Sequence, residues 1–251
     1  MYRSGNPALN DSTFEKSAYK EVSWWEDSES NLMTMNGVVD KTALLLGIVI
    51  SLAIVSYISA PLSLIFSFIG GIVGFILAMI IIFSGSMNPL LICAYASCQG
   101  LFLGGVTWMI EGSVEMPGLG ILAAVLTFLI LGAMISIYRA GLIAWNKNTQ
   151  IAVTSAVVAI VLIYLLTFIG SFIGFEIPLI HGSGPIGILF SLFVVGIASL
   201  CLVADFDFIE RGVERGAPKQ LEWRAAFGLL VTLIWLYLEI LKLLAKLAAR
   251  R

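Results

Sequence analysis

Charge is what this sequence has least of. Only 12% of its 251 residues are Asp, Glu, Lys or Arg, where a soluble domain carries about 25%. A globule of this length with half the usual charge could not cover its surface, which excludes an ordinary soluble enzyme and a disordered chain. Basic excess is missing too. Fourteen Lys and Arg stand against 16 Asp and Glu, a net charge of −2, so nothing argues for a nucleic-acid partner. There is one histidine, His181. A multi-histidine metal site is therefore excluded, and a Ser-His-Asp hydrolase would have to be built on one loop residue. The three cysteines, Cys93, Cys98 and Cys201, lie in apolar runs and form neither a CxxC pair nor a zinc spacing. They read as small hydrophobes. No phosphate loop, Rossmann fingerprint, HExxH or nucleophile elbow is present. No cofactor is expected, and the chain is not expected to be an enzyme.

What the chain has is apolar length. Hydrophobic residues make up 59% of it, and the mean hydropathy is +1.00. That composition belongs to an integral membrane protein. About 20 residues cross the hydrocarbon core as a helix, and seven stretches are long enough: 42–60, 62–84, 89–110, 118–138, 151–174, 184–204 and 223–246. Breaks fall at Pro61, at Gly85 to Pro89, at Met116-Pro117-Gly118, at Asn146-Lys147-Asn148, between Pro178 and Pro185, and at Gly216-Ala217-Pro218. Alternation of period two is absent, which argues against a β-barrel. A helical bundle is the other structure that satisfies its backbone in lipid. The expected fold is therefore all-α, a bundle of seven transmembrane helices (42–251) behind a polar, acidic tail (1–41). The tail shows no basic segment followed by an apolar core, so no cleavable signal peptide is expected. Its Trp24-Trp25 pair suits a membrane interface.

Small residues recur four apart at Gly70/Gly74, Gly100/Gly104 and Gly170/Gly174, a spacing that lets helix backbones approach closely. Orientation follows from Lys and Arg near the span ends. With the N-terminus in the cytoplasm, Arg139, Lys147, Arg211, Arg215, Lys219 and Arg224 lie inside, while the loops at 61, 111–117 and 175–183 hold no Lys or Arg. Arg139, closing the fourth span, reads as a snorkelling anchor. The C-terminal Lys242, Lys246, Arg250 and Arg251 run against this asymmetry, since seven full crossings put them outside.

Ionisable residues within such spans are costly, at least ~2.5 kcal/mol for a carboxylate at mid-bilayer, and tend to mark function. Asp205-Phe206-Asp207-Phe208-Ile209-Glu210 closes the sixth apolar stretch. Asp205 shares a helix face with Ile209 and not with Asp207. The run is either a solvated cytoplasmic helix end, offset by an Asp207–Arg211 pair, or a carboxylate cluster that binds a cation or titrates. Glu239 lies well inside the last span. It either pairs with Lys242 three residues on, near an interface, or faces the bundle interior as an intramembrane acid. Burial disfavours the charged form of a carboxyl, and two close carboxyls titrate as a unit. In the third span Asn88 stands at the start, and Tyr95 and Gln99 share a face. These three are the polar groups available for inter-helix hydrogen bonds or for lining a pathway.

Four segments together resemble the Bax inhibitor/YccA family of seven-helix membrane proteins, in a bacterial branch with a long N-terminal tail. They are Asn36-Gly37-Val38-Val39-Asp40-Lys41-Thr42; Asn88-Pro89 followed by Tyr95-Ala96 and Gln99-Gly100-Leu101; Asp205-Phe206-Asp207-Phe208-Ile209; and Leu236-Tyr237-Leu238-Glu239-Ile240. The resemblance implies a central last helix, residence in the bacterial inner membrane, and a pH-sensitive passive calcium leak with calcium and protons as ligands. It also implies that Asp205 and Glu239 form the pH sensor beside the ion pathway. Asp207 stands where the family often has Gln, which adds a third acid and a candidate transient calcium site at Asp205 and Asp207. Some members carry an arginine on the second helix, whereas residues 62–84 hold no charge. The alternative the resemblance implies is a regulatory protein that modulates a membrane protease such as FtsH, with the acidic tail as contact. One expectation concerns depth. Asp205 lies 11 residues before Gly216, ~16 Å of helix, and Glu239 lies 21 residues after Pro218, ~31 Å. A straight hairpin separates the two by about 15 Å. Either the intervening residues form a separate cytoplasmic element, or the pair does not form.

Overall fold

A computed structural model describes residues 31–143, 145–173 and 182–250. Trp24, Trp25, the tail residues before Asn31, Gly174, Pro178 and His181 lie outside the described residues. Seven helices follow one another: α1 (Met35–Ile58), α2 (Ser63–Ser84), α3 (Pro89–Val114), α4 (Leu119–Arg139), α5 (Lys147–Ile173), α6 (Pro185–Glu214) and α7 (Leu221–Ala248). All seven are long and apolar enough to cross a membrane, and no strand occurs among the described residues. The chain is an all-α membrane protein of seven spanning helices, and its apolar outer faces meet lipid. Exposed Phe68, Phe75, Phe83 and Ile121 belong to those faces, the inverse of a soluble helix, whose outer face is polar. The last helix has the burial expected of an inner one. In α7, 61% of the most apolar window is buried, against 11% in α5.

Several helix ends differ from the apolar runs, because polar capping sets them and hydropathy does not. Thr34 starts α1 by accepting the Gly37 N–H at 3.0 Å, so Asp40 and Lys41, counted with the tail by composition, lie on the first helix. Asn88 caps α3, its Oδ1 accepting the Leu90 N–H at 3.0 Å, with Pro89 at the first helical position, where its missing N–H costs nothing. Asn146 accepts the Thr149 N–H at 2.9 Å and starts α5 at Lys147. The sixth helix does not stop at the first acid. It continues through Asp205, Asp207 and Glu210 to Glu214 and ends on Gly216, whose φ of 65° permits the closing bonds Ala217 N–H to Gly212 C=O and Gly216 N–H to Val213 C=O.

The described residues fall into two compact units. One takes in Met1–Ile110 and Asp205–Val231, the other Glu111–Ala204 and Thr232–Arg251. In the first, α3 is packed through small residues. A Cβ added at Gly100 would stand 2.6 Å from the Val49 carbonyl oxygen of α1, and one at Gly70 would stand 2.5 Å from that of Cys98. Gly104 touches the Ala53 carbonyl and Gly105 that of Ser63. Hydroxyls reinforce the contact: Ser56 donates to Leu101 C=O at 2.8 Å and Ser67 to Phe102 C=O at 3.1 Å. The first two glycine pairs thus do what their spacing predicts.

In the second unit α4 begins at Gly118 without a side-chain cap of its own. Glu111, buried at the end of α3, fills that role by accepting the Gly120 N–H at 2.7 Å. A carboxylate there also meets the positive end of the helix dipole. Arg139 closes the last turn of α4 and is exposed.

Candidate functional site

The acids singled out by the scarcity of charge take three different environments. Thr232, Leu236 and Glu239 repeat on one face of α7 and are all buried, Glu239 to 1% exposure. Its carboxylate has two partners within the second unit. Tyr164 of α5 donates its hydroxyl to Oε2 at 2.8 Å, and Lys242 donates to Oε1 at 2.8 Å. The Lys242 ammonium also stands 4.7 Å from the centroid of the Tyr164 ring, within cation–π range. Phe190 of α6 meets the same ring edge-on, centroids 6.4 Å apart. One turn on, Lys246 donates to Gly187 C=O at 3.1 Å and to Ser191 Oγ at 2.8 Å, both on α6. The Glu239–Lys242 pair read from the i,i+3 spacing exists, but its acid is fully buried.

Asp205 is 0% exposed, in a run with buried Leu202, Val203, Ala204, Phe208 and Ile209. This part of α6 is therefore not a solvated helix end. Asp207 is different. It is half-buried and pairs with Arg211 at 2.9 Å, one turn along. Two residues apart on a helix, Asp205 and Asp207 face different sides, and the Asp207 carboxylate is engaged by a cation already. Among the described residues no group of three His, Cys, Asp or Glu converges as a metal site would require. Asp205 belongs to the first unit and Glu239 to the second.

The polar groups of α3 divide as well. Tyr95 is buried and presents its ring edge-on to Phe227 of α7, 4.9 Å between centroids, so its visible role is packing. Gln99 lies against α2, its Nε2 2.9 Å from where a Cβ on Gly74 would be. Asn88 is the α3 cap described above. It also borders an open groove of about 580 Å³ shared with Lys41, Lys219 and Trp223.

A buried acid that composition did not single out stands in the same unit. Glu222, in the first turn of α7, is fully buried. It accepts the Thr34 N–H at 2.9 Å and the Thr34 hydroxyl at 3.2 Å, and it pairs with Lys41. In a capping box the cap residue's own N–H is taken by an acid at the third helical position. Here that position is Gly37, and the acid comes from α7. A Cβ on Gly37 would run into the Glu222 carboxylate. Beside it Met33 N–H donates to Ala217 C=O and Lys219 N–H to Asn31 C=O, both at 2.7 Å.

The family described as Bax inhibitor 1 like matches the chain over residues 6–249. The chain belongs to the Bax inhibitor 1-like family. No curated protein and no solved structure matches it. In this Bax inhibitor 1-like chain, the motif Asn36 to Thr42 has a physical basis. Gly37 makes room for Glu222, and Lys41 neutralises it. A sequence signal for Glu222 existed in the form of a helix start, Thr34, with glycine where its capping acid should be. Nothing local says which distant acid fills the gap. Tyr164, the Glu239 partner on α5, looks in sequence like any apolar-span tyrosine.

Proposed function

We propose that this Bax inhibitor 1-like chain is a passive, pH-sensitive calcium leak. Protonation of Asp205 and Glu239 would set its conductance. The observation that carries this reading is the burial of both acids, 0% and 1% exposed, in the two helices that close a seven-helix membrane chain. Carboxylates enclosed in such helices mark ion and proton pathways. Glu239 joins Tyr164 of α5 to Lys242 of α7 through its two carboxylate oxygens, which makes its charge part of the α5–α7 contact. Asp207, held by Arg211, is outside this pair. The reading further takes the chain as no enzyme, in the bacterial inner membrane, with its N-terminus in the cytoplasm. The alternative, a regulator of a membrane protease, rests on the acidic tail, most of which lies outside the described residues, and no observation favours it.

Calcium flux into proteoliposomes across pH 6 to 8 tests the proposal. Flux should vary with pH in the wild type and lose that dependence in Asp205→Asn and Glu239→Gln. Identical, pH-insensitive flux in all three would sink it.

A further inference from the structure

The surroundings of Glu239 are those of a cation site whose cation is part of the chain. One carboxylate oxygen and the face of the Tyr164 ring converge on the Lys242 ammonium, at 2.8 and 4.7 Å. The other carboxylate oxygen is fixed by the Tyr164 hydroxyl at 2.8 Å. The two ends of the pair differ sharply in burial. The Glu239 side chain is 1% exposed and that of Lys242 44%. The acid therefore stays in place, while the ammonium, on a flexible four-carbon stem, has an outward route. Lys246 does not stand in for it, because its Nζ is held by Gly187 C=O and Ser191 Oγ on α6. The charged and titratable groups that face Glu239 are thus Tyr164 from α5, Lys242 from its own helix and, a turn beyond, Lys246.

We propose that Lys242 is a tethered counter-cation, occupying and thereby blocking a cation-binding position formed by Glu239 and Tyr164. A mobile cation reaches Glu239 only after the ammonium has moved away. The inference rests on the leak reading above for its consequence in transport, and on geometry alone for the binding site.

Terbium(III), added to the purified full-length protein and read by tyrosine-sensitised emission, probes the site without any transport assay. Lys242→Met should raise terbium affinity by about fivefold or more, the factor carried by ~1 kcal/mol of a partly exposed ion pair. Lys242→Gln, closer in polarity, should do the same, which covers the case that the Met variant fails to fold. Lys242→Arg should stay near wild type. Glu239→Gln added to Lys242→Met should abolish the gain. Calcium flux should rise in parallel in the two neutral variants. Terbium affinity unchanged in both, or a gain that survives Glu239→Gln, overturns the proposal whatever the flux does. Wild-type protein with no calcium flux at any pH, together with the predicted terbium pattern, overturns the leak reading and leaves the blocked site standing.

Discussion

At Gly37 one hydrogen atom decides whether α1 and α7 can meet. The position has no side chain because the Glu222 carboxylate lies where a Cβ would be, taking up the Thr34 backbone donor and the Lys41 ammonium. Gly37→Ala should push that carboxylate away and destabilise the protein by roughly 1–3 kcal/mol, the usual range for an added methyl in a packed site. Gly47→Ala on the same helix, where no atom lies within 4 Å, should be neutral or stabilising by up to about 1 kcal/mol, since alanine is the better helix former. Thermal unfolding in detergent separates the two. Equal melting temperatures for both variants would mean that the Glu222 contact contributes nothing. The segment Asn36 to Thr42 is conspicuous in the sequence, but its reason is not. The acid it serves is 188 positions from Thr34, and no local pattern reports a contact made at that separation.

Among the elements, α3 depends on how closely its neighbours approach. Gly100 and Gly104 touch α1, and Gly105 touches α2. Without a hydrophobic drive between helices in lipid, such close packing and the Ser56 to Leu101 hydrogen bond carry the association. Gly104→Ala would press a methyl onto the Ala53 carbonyl and 2.7 Å from the Ser56 Cβ. It should cost roughly 1–3 kcal/mol, with Gly104→Val worse. Gly132→Ala on α4, with nothing within 4 Å, should be silent. Denaturant titration in mixed micelles would show it, and a Gly104→Ala midpoint matching that of Gly132→Ala would refute the packing argument. This is also the scale at which sequence is most informative. Seven apolar runs and two small-residue stripes are legible because lipid leaves the backbone little choice but helix. The helix ends are less so. Composition stops the sixth span at Ala204, yet the backbone continues to Glu214 because Arg211 supports Asp207 and Asp205 is buried. Hydropathy registers the acids but not their partners. The same limit applies to the site, where Glu239 stood out by charge while Tyr164 and Glu222 became visible only in three dimensions.

For the whole molecule the charges near the two ends bear on the proposed orientation. Seven crossings put the two termini on opposite sides, so a cytoplasmic N-terminus sends Lys242, Lys246, Arg250 and Arg251 outward, against the usual preference for positive charge inside. The contacts within the second unit reduce that conflict. Lys242 is neutralised by Glu239 and Lys246 is tied to Gly187 and Ser191, so both ammoniums are partnered within the protein. Arg211, paired with Asp207, and buried Arg224 are set aside on the same ground, which leaves Arg250 and Arg251, after α7 in the sequence, against Arg139, Lys147, Arg215 and Lys219 on the N-terminal side. A reporter active only in the cytoplasm should therefore work when fused to the N-terminus and fail after residue 250, while one active only outside should give the reverse. Replacing Arg250 and Arg251 by Gln should leave this topology unchanged, because the four residues on the other side outweigh them. Cytoplasmic signals from both ends would mean that α7, despite its length, does not cross. The burial of Glu239 would then have to be explained by a helix that enters and stays within the bundle.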